Sequence, residues 1–525
     1  MPMKRYFVTL LLLFAAFAAT AANRPKLVVQ IVVGSMRAGD LDRYEAQFTE
    51  GGFRRLMHDG IHYSEARYDF QQTLTPATLS TLSTGAMPSM HGVVSDRWHD
   101  YTTNEAVNLT EGQRGHGGYH LIAPTLAETL RGERPKANVA TIALDPASAI
   151  TLGGRRGTIY WVDEESTEWC TSLYYTNETP LWLARSNREG FNLSFLLPTW
   201  QQLLNKELYQ NTRQYDIRTR ISDKRSKEQS TTKRYEPRNH TERLRYTPAG
   251  NSAVLGFAKQ CLAQYHMGQD ETPDLLNIYL DSPRYIAEVY GPESIEVEDM
   301  YYRLDRDLND FLTFLYAQVG PAECMVVLTS DHGTSESLDS EASTPTVEQF
   351  NTRQFRVICN GFLNVRYGSG NWVIGYRNRS LYLNHTLIYE RNLNPAQLQN
   401  DIATFAMQFS GVSHALSATA LRSSYFADGY ARRIQNSFYA RRSGDVLLNL
   451  MPGWIEEEEH RYAGSGSMYG YDTQVDLYIS GCGLQPTTIN RTVDMTSIAP
   501  TLAYLMQIKE PDASEGEPLE EIIHN

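Results

Sequence analysis

Lys26 to Val33, KLVVQIVV, is an apolar and largely β-branched run broken only by Gln30. It lacks the apolar–polar alternation of a half-exposed strand. A run of this kind suits a parallel strand covered on both faces. Similar runs follow at Asn138–Leu144 (NVATIAL), Thr158–Val162 (TIYWV), Asp274–Leu280 (DLLNIYL), Cys324–Thr329 (CMVVLT) and Val475–Ser480. Helical patterns lie between them. GGFRRLMHDG reads as a helix ending at Gly60. Ser294 to Val319 is amphipathic, with Val297, Met300, Tyr301, Leu304, Leu308, Phe311 and Leu315 on one face. Thr496 to Leu505 reads as a late helix. Strand, loop and helix in repetition predict an α/β fold around a mostly parallel sheet.

At 525 residues the chain is long for a single core. One large domain with insertions, or two domains, is expected. The main domain is assigned to 23–185 and 251–525. Residues 355–450 mix short strands with one helix, Pro395 to Phe409, and form a smaller α+β lobe. Residues 186–250 differ in character and read as a cap-like basic insertion. From Asn211 to Tyr246 there are 11 Lys and Arg against 5 Asp and Glu, in a chain of net charge −13. The acidic balance argues against a general nucleic-acid binder. The basic stretch is the place for an acidic partner, or else a solvated surface loop.

Lys4 and Arg5 precede the apolar run Tyr6–Ala19 and then small residues. This predicts a signal peptide over 1–22, cleaved near Ala21 or Ala22, and a periplasmic or secreted protein. No later stretch has the roughly 20 apolar residues of a membrane span. The five cysteines are scattered without a CxxC pair, which excludes a zinc knuckle and leaves any disulfide pairing open.

In open α/β sheets ligand chemistry gathers at the carboxyl ends of the strands. Here those ends carry Gly34, Asp145, an Asp281–Glu288 loop, Asp331-His332 and Gly464–Ser467. Thr73 to Gly92, TLTPATLSTLSTGAMPSMHG, joins them. Thr75 precedes Pro76, so Pro at the first helical position predicts Thr75 at the N-cap. It either presents its hydroxyl to an anion or caps the helix. His91 reads as a packed turn histidine.

The order of KLVVQIVV…MR, GGFRRLMHDG, TLTPATLSTLSTGAMPSMHG, GPESIEVEDMYYRLDRDL, LTSDHG, RRSGDVLLNLMPGW and TSIAPTLAYL resembles the alkaline phosphatase superfamily. Within it, the chain is similar to periplasmic bacterial phosphatases with a threonine nucleophile. The resemblance implies a doubly wound, mostly parallel sheet of the alkaline phosphatase type. It also implies two zinc ions on the substrate phosphate.

Position by position, the resemblance places Thr75 at the nucleophile and Asp331 and His332 at two metal ligands. It places Gly34 at the first-strand metal aspartate and Asp96 at a phosphate-contacting asparagine. Asp145 and Ala147 fall on a Lys-x-Arg pair, and Ser465 on a late metal histidine. Arg284 and Glu288 fall on an Asp-x-x-x-His pair; sliding Asp281 into register puts Tyr285 at the histidine. Asp96, Asp145 and Glu288 are then expected to face one place, with Arg284 as the only new cation. These substitutions imply a catalytically inactive pseudophosphatase without a metal cofactor. Its role would be binding or scaffolding, on an envelope protein or glycan, through 211–246. The alternative is an active single-metal phosphomonoesterase or phosphodiesterase. Its site would be rebuilt around Thr75, Asp331 and His332, with Asp40, Asp281 or Glu288 helping to hold one zinc, magnesium or manganese ion.

Overall fold

The computed structural model describes residues 24–196, 200–211, 239–338, 347–458 and 461–523. The leader expected at 1–22 lies outside these residues, as does the basic block over 212–238. Nine strands form the central sheet: β1 (Leu27–Val33), β2 (Gly60–Arg67), β3 (Val139–Ile142), β4 (Thr158–Val162), β5 (Trp169–Cys170), β6 (Asp274–Leu280), β7 (Cys324–Ser330), β8 (Gln474–Gly481) and β9 (Thr487–Asp494). Their order is β9-β2-β8-β7-β1-β6-β3-β4-β5. The five strands from β7 to β4 are parallel. β8 is antiparallel to both β7 and β2, and β5 is antiparallel to β4.

β1 lies at the centre, paired along its whole length with β6 and β7. Its side chains alternate between two cores. Leu27, Val29, Ile31 and Val33 pack with Val254, Phe257, Met300, Leu304 and Leu308. Val28 and Val32 face Leu79, Leu82, Ile150 and Leu502. Helices Ala249–Gln264 and Ile295–Gln318 therefore cover one face, and Thr75–Thr84, Pro146–Gly153 and Ile498–Leu505 the other. Both faces are dry, which is why the strand runs read as continuously apolar.

Several expectations are corrected. The helix read as ending at Gly60 stops at His58, and Gly60 opens β2. Residues Asp281–Glu288 are not a loop, because Ser282–Tyr290 is a helix. The boundary placed at 250/251 falls inside the helix Ala249–Gln264.

The smaller lobe holds a four-stranded antiparallel sheet in the order Val373–Arg377, Ser380–Leu383, Val446–Leu450, Val412–Ser417. It carries five helices rather than one: Thr352–Tyr367, His385–Glu390, Pro395–Ala406, Ala418–Ser423 and Gly429–Ser437. Four start at a side-chain cap, from Asn351, Asn384, Asn394 and Ser417. Each cap oxygen satisfies a backbone N–H that the first turn leaves free. Among the described residues all five cysteines are free, four of them buried, and no helix is long and apolar enough to cross a membrane.

Candidate active site

Thr75 is the first residue of its helix, and the N-cap is Leu74 in extended backbone. The expected capping role is therefore not observed: the cap makes no side-chain bond. The Thr75 hydroxyl instead donates to Asp331 Oδ2 at 2.8 Å and lies 3.2 Å from His332 Nε2. Pro76 fixes the first turn, and the helix is buried along almost its whole length. That burial aims the threonine at the end of β7 rather than at solvent.

Asp331 follows β7 directly and is fully buried. Its Oδ1 accepts from the backbone N–H of Ser35, at 2.8 Å, and of His332, at 2.9 Å. Its Oδ2 accepts from Thr75 and from the Tyr279 hydroxyl, also at 2.8 Å. Four protein donors thus meet one carboxylate. Charge-assisted bonds of this kind are the strong class. The Ser330 hydroxyl ties the neighbouring strand ends together, since it contacts the Val33 carbonyl at 2.8 Å and receives the Met36 N–H at 3.0 Å.

His332 Nδ1 lies 2.6 Å from the Gly333 carbonyl. A carbonyl only accepts, so Nδ1 carries a proton, while Nε2 lies 3.2 Å from both the Thr75 hydroxyl and Asp331 Oδ2. His332 is 1% exposed.

Gly34 sits at the end of β1, against Tyr279 and Arg284. A Cβ there would meet Tyr279 Oη at 2.9 Å, Arg284 Cβ at 3.0 Å and the Leu280 carbonyl oxygen at 3.0 Å. Tyr279 is one residue that sequence reasoning missed, and burial raises its phenol well above the usual range, so it remains a donor.

The helix Ser282–Tyr290 brings a charged group to the same end of the sheet. Arg284 stacks on Tyr285 with its guanidinium 4.3 Å from the ring centre and lies 3.6 Å from Glu288. Glu288 pairs more closely with Arg461, at 2.8 Å. Burial alone would raise Glu288, but Arg461 and Arg284 together hold it below the usual glutamate range. Arg461 is the second missed residue, so Arg284 is not the only cation here.

Asp96, Asp145 and Glu288 differ in their surroundings. Asp96 is exposed. Asp145 caps the helix Pro146–Gly153, accepting from the Ser148 N–H at 3.0 Å and approaching its hydroxyl at 3.2 Å. Ala147 lies in the first turn of that helix. Asp281 is fully buried and accepts from the Leu144 N–H at 2.7 Å. Burial and the nearby Asp145 charge push its carboxyl up to about 7. Asp40 is committed to Arg37, at 3.3 Å, and to the Tyr301 hydroxyl.

Ser465 borders a small cavity shared with Arg379 and Arg461. His91 packs as expected: its Nε2 lies 3.1 Å from the Thr81 hydroxyl and its Nδ1 accepts from the Val93 N–H. Burial pulls its pKa down to about 3, so it is neutral.

Three residues are thus brought together, Thr75, Asp331 and His332. A hydroxyl set between a carboxylate and an imidazole is held in one orientation, and a base stands within reach of its proton.

Comparison with known proteins accords with this architecture. Alkaline phosphatase PafA of Elizabethkingia meningoseptica is 28% identical over 530 residues, spanning 97% of each chain. Alkaline phosphatase PhoV of Synechococcus elongatus is 27% identical, over 97% of this chain and 94% of its own. The crystal structure of wild-type PafA superimposes with a TM-score of 0.88 at 27% identity, covering 96% of this chain and all of that one. The sequence model described as type I phosphodiesterase / nucleotide pyrophosphatase matches residues 28–472. The chain belongs to that family, within the alkaline phosphatase superfamily.

Proposed function

We propose that this protein is a catalytically silent member of its family, exported behind a cleaved leader, that keeps the fold for binding. The observation carrying this reading is the crowding at Gly34. The resemblance puts a metal-holding aspartate there, yet even a Cβ would press on Tyr279 Oη at 2.9 Å. Tyr279 also supplies Asp331 Oδ2 with a hydrogen bond.

Zinc takes about four donors, and a two-zinc site needs several carboxylates and imidazoles at once. Asp331 already accepts four protein donors, and Glu288 is taken by Arg461. The residues present do not fit a zinc pair. In this reading Thr75 and His332 are positioning groups at the strand ends. The partner is an envelope protein or glycan, and the basic block at 211–246 is the segment offered to it.

The test is turnover of an aryl phosphate by the purified mature chain, together with its metal content. The expected result is no stoichiometric metal and no turnover from a protein that melts cooperatively. A stoichiometric divalent metal, with turnover lost in Thr75→Ala, overturns the proposal.

One observation favours a second reading, an active phosphoesterase. Thr75 Oγ lies 2.8 Å from Asp331 and 3.2 Å from His332, so the nucleophile position has a base beside it. Such an enzyme would act on a phosphate monoester or diester, with a single zinc, magnesium or manganese ion where a metal is used. Turnover that is lost in both Thr75→Ala and His332→Ala, in folded protein, selects it.

A further inference from the structure

Between the smaller lobe and the turn Gly464–Gly466 lies a cavity of about 50 Å³. Its polar lining includes Gln72, Asn378, Arg379, Glu456, Arg461 and Ser465. A water site needs about 10–15 Å³ measured this way, so the space holds a few waters or one small oxyanion, and no nucleotide.

Arg379 is the central group. It is 4% exposed, and its Nε lies 3.3 Å from Glu456 Oε1. Its Nη1 is buried and, among the described residues, has no hydrogen-bond partner. A buried guanidinium nitrogen without an acceptor is costly, more so than a neutral donor. The backbone holds the side chain in place. Asn378 and Arg379 join two strands of the lobe sheet with φ of 47° and 61°. The Gln72 side-chain amide fastens the turn by donating to the Asn378 carbonyl at 2.7 Å.

The other charges are largely committed. Glu456 Oε1 also accepts from the Tyr376 hydroxyl at 2.7 Å and the Arg379 N–H at 3.2 Å. Arg461 is shared by Glu288, at 2.8 Å, and Glu458, at 2.6 Å. Arg461 is thus neutralised by its two glutamates, and Arg379 Nη1 is the cationic donor left without an acceptor.

We infer that this cavity is a binding site for a small oxyanion of the carboxylate or inorganic phosphate type, seated on Arg379 Nη1 and the Ser465 hydroxyl. Binding here does not require Thr75 to react.

Titration calorimetry of the full mature chain with acetate and with inorganic phosphate at pH 6 tests this. Saturable binding of at least one anion is expected, weakened tenfold or more in Arg379→Met and partly restored in Arg379→Lys. Ser465→Val, which leaves the Arg379–Glu456 pair intact, weakens binding several-fold and decides the matter if Arg379→Met does not fold. Thr75→Ala leaves it unchanged. Absence of binding by the native chain at millimolar anion overturns the inference, as does binding that survives in the Arg379 and Ser465 variants. Binding lost in Thr75→Ala but kept in the Arg379 variants places the anion at the strand-end centre and also overturns it.

Discussion

Tyr279 Oη occupies the space that a side chain on Gly34 would enter, 2.9 Å from the Cβ position, while donating to Asp331 at 2.8 Å. The two positions are coupled: a small residue just after β1 makes room for a phenol on β6. Gly34→Ala is expected to destabilise the fold by about 1–3 kcal/mol through overpacking. Tyr279→Phe removes one donor from a buried carboxylate and costs about 1–3 kcal/mol. In the double variant the alanine meets less, because the oxygen is gone, although the Leu280 carbonyl remains at 3.0 Å. Urea unfolding of the four proteins should give a coupling of at least about 0.5 kcal/mol. Strict additivity contradicts the steric account.

Thr75→Val keeps the shape of the residue and deletes only the hydroxyl. Asp331 Oδ2 then retains Tyr279 as donor, and the expected loss is about 1–2 kcal/mol. Thr75→Ser should stay near the native value. Asp331→Asn is worse than either, because an amide NH2 would face hydrogen-bond donors where a carboxylate oxygen had accepted from them. Chemical denaturation at neutral pH ranks the three, and Thr75→Val costing more than Asp331→Asn would contradict the arrangement.

Much of this was legible in the chain. β1, β6 and β7 are buried on both faces, so their sequences are mostly apolar, broken inside only by Gln30 in β1 and Asn277 in β6. Thr75, Asp331 and His332 stand inside motifs whose order points to one end of the sheet. Tyr279 was hidden because it sits within such a run, DLLNIYL, where a tyrosine looks like one more core residue. Arg461 was hidden for another reason. Its pairing with Glu288 spans 173 positions, and no local pattern encodes a contact of that separation. Asp145 also serves as a helix cap, because a strand-end position and a helix N-cap coincide there. The Asp-Pro-x-Ser pattern at Asp145–Ser148 carried the cap signal.

Asp281 gives the fold a pH dependence of definite sign. Its carboxyl is raised to about 7 by burial and then by Asp145, against 3.8 for the free group. The folded chain therefore holds a proton that the unfolded chain releases. The associated stability is fully present below about pH 4 and is lost as pH rises to and through 7. Asp472, pushed up to about 7 by burial, adds a parallel loss. Asp281→Asn keeps an acceptor for the Leu144 N–H and cannot ionise. Between pH 5 and 8, its urea midpoint should fall less steeply than that of the native protein. Identical slopes would exclude Asp281 as a titrating group in that window.

Glu288 has the opposite sign. With its folded pKa held below the ordinary 4.5, its contribution is present above that value and lost as pH falls through the folded pKa. Arg461 at 2.8 Å is its closer partner, and Arg284 at 3.6 Å the weaker one. Arg461→Met removes the closer charge and leaves a carboxylate whose side chain is only 13% exposed. Breaking a fully buried pair costs about 3–5 kcal/mol. Arg461 is 31% exposed and Arg284 remains nearby, so about 1–3 kcal/mol is expected at pH 7. As pH falls toward 3 the unpaired glutamate takes up a proton and no longer needs a cation, so the gap between native and variant protein should narrow. A gap that stays constant from pH 7 to 3 would mean that Arg461 acts through packing alone. The charge on Glu288 would then be carried by Arg284.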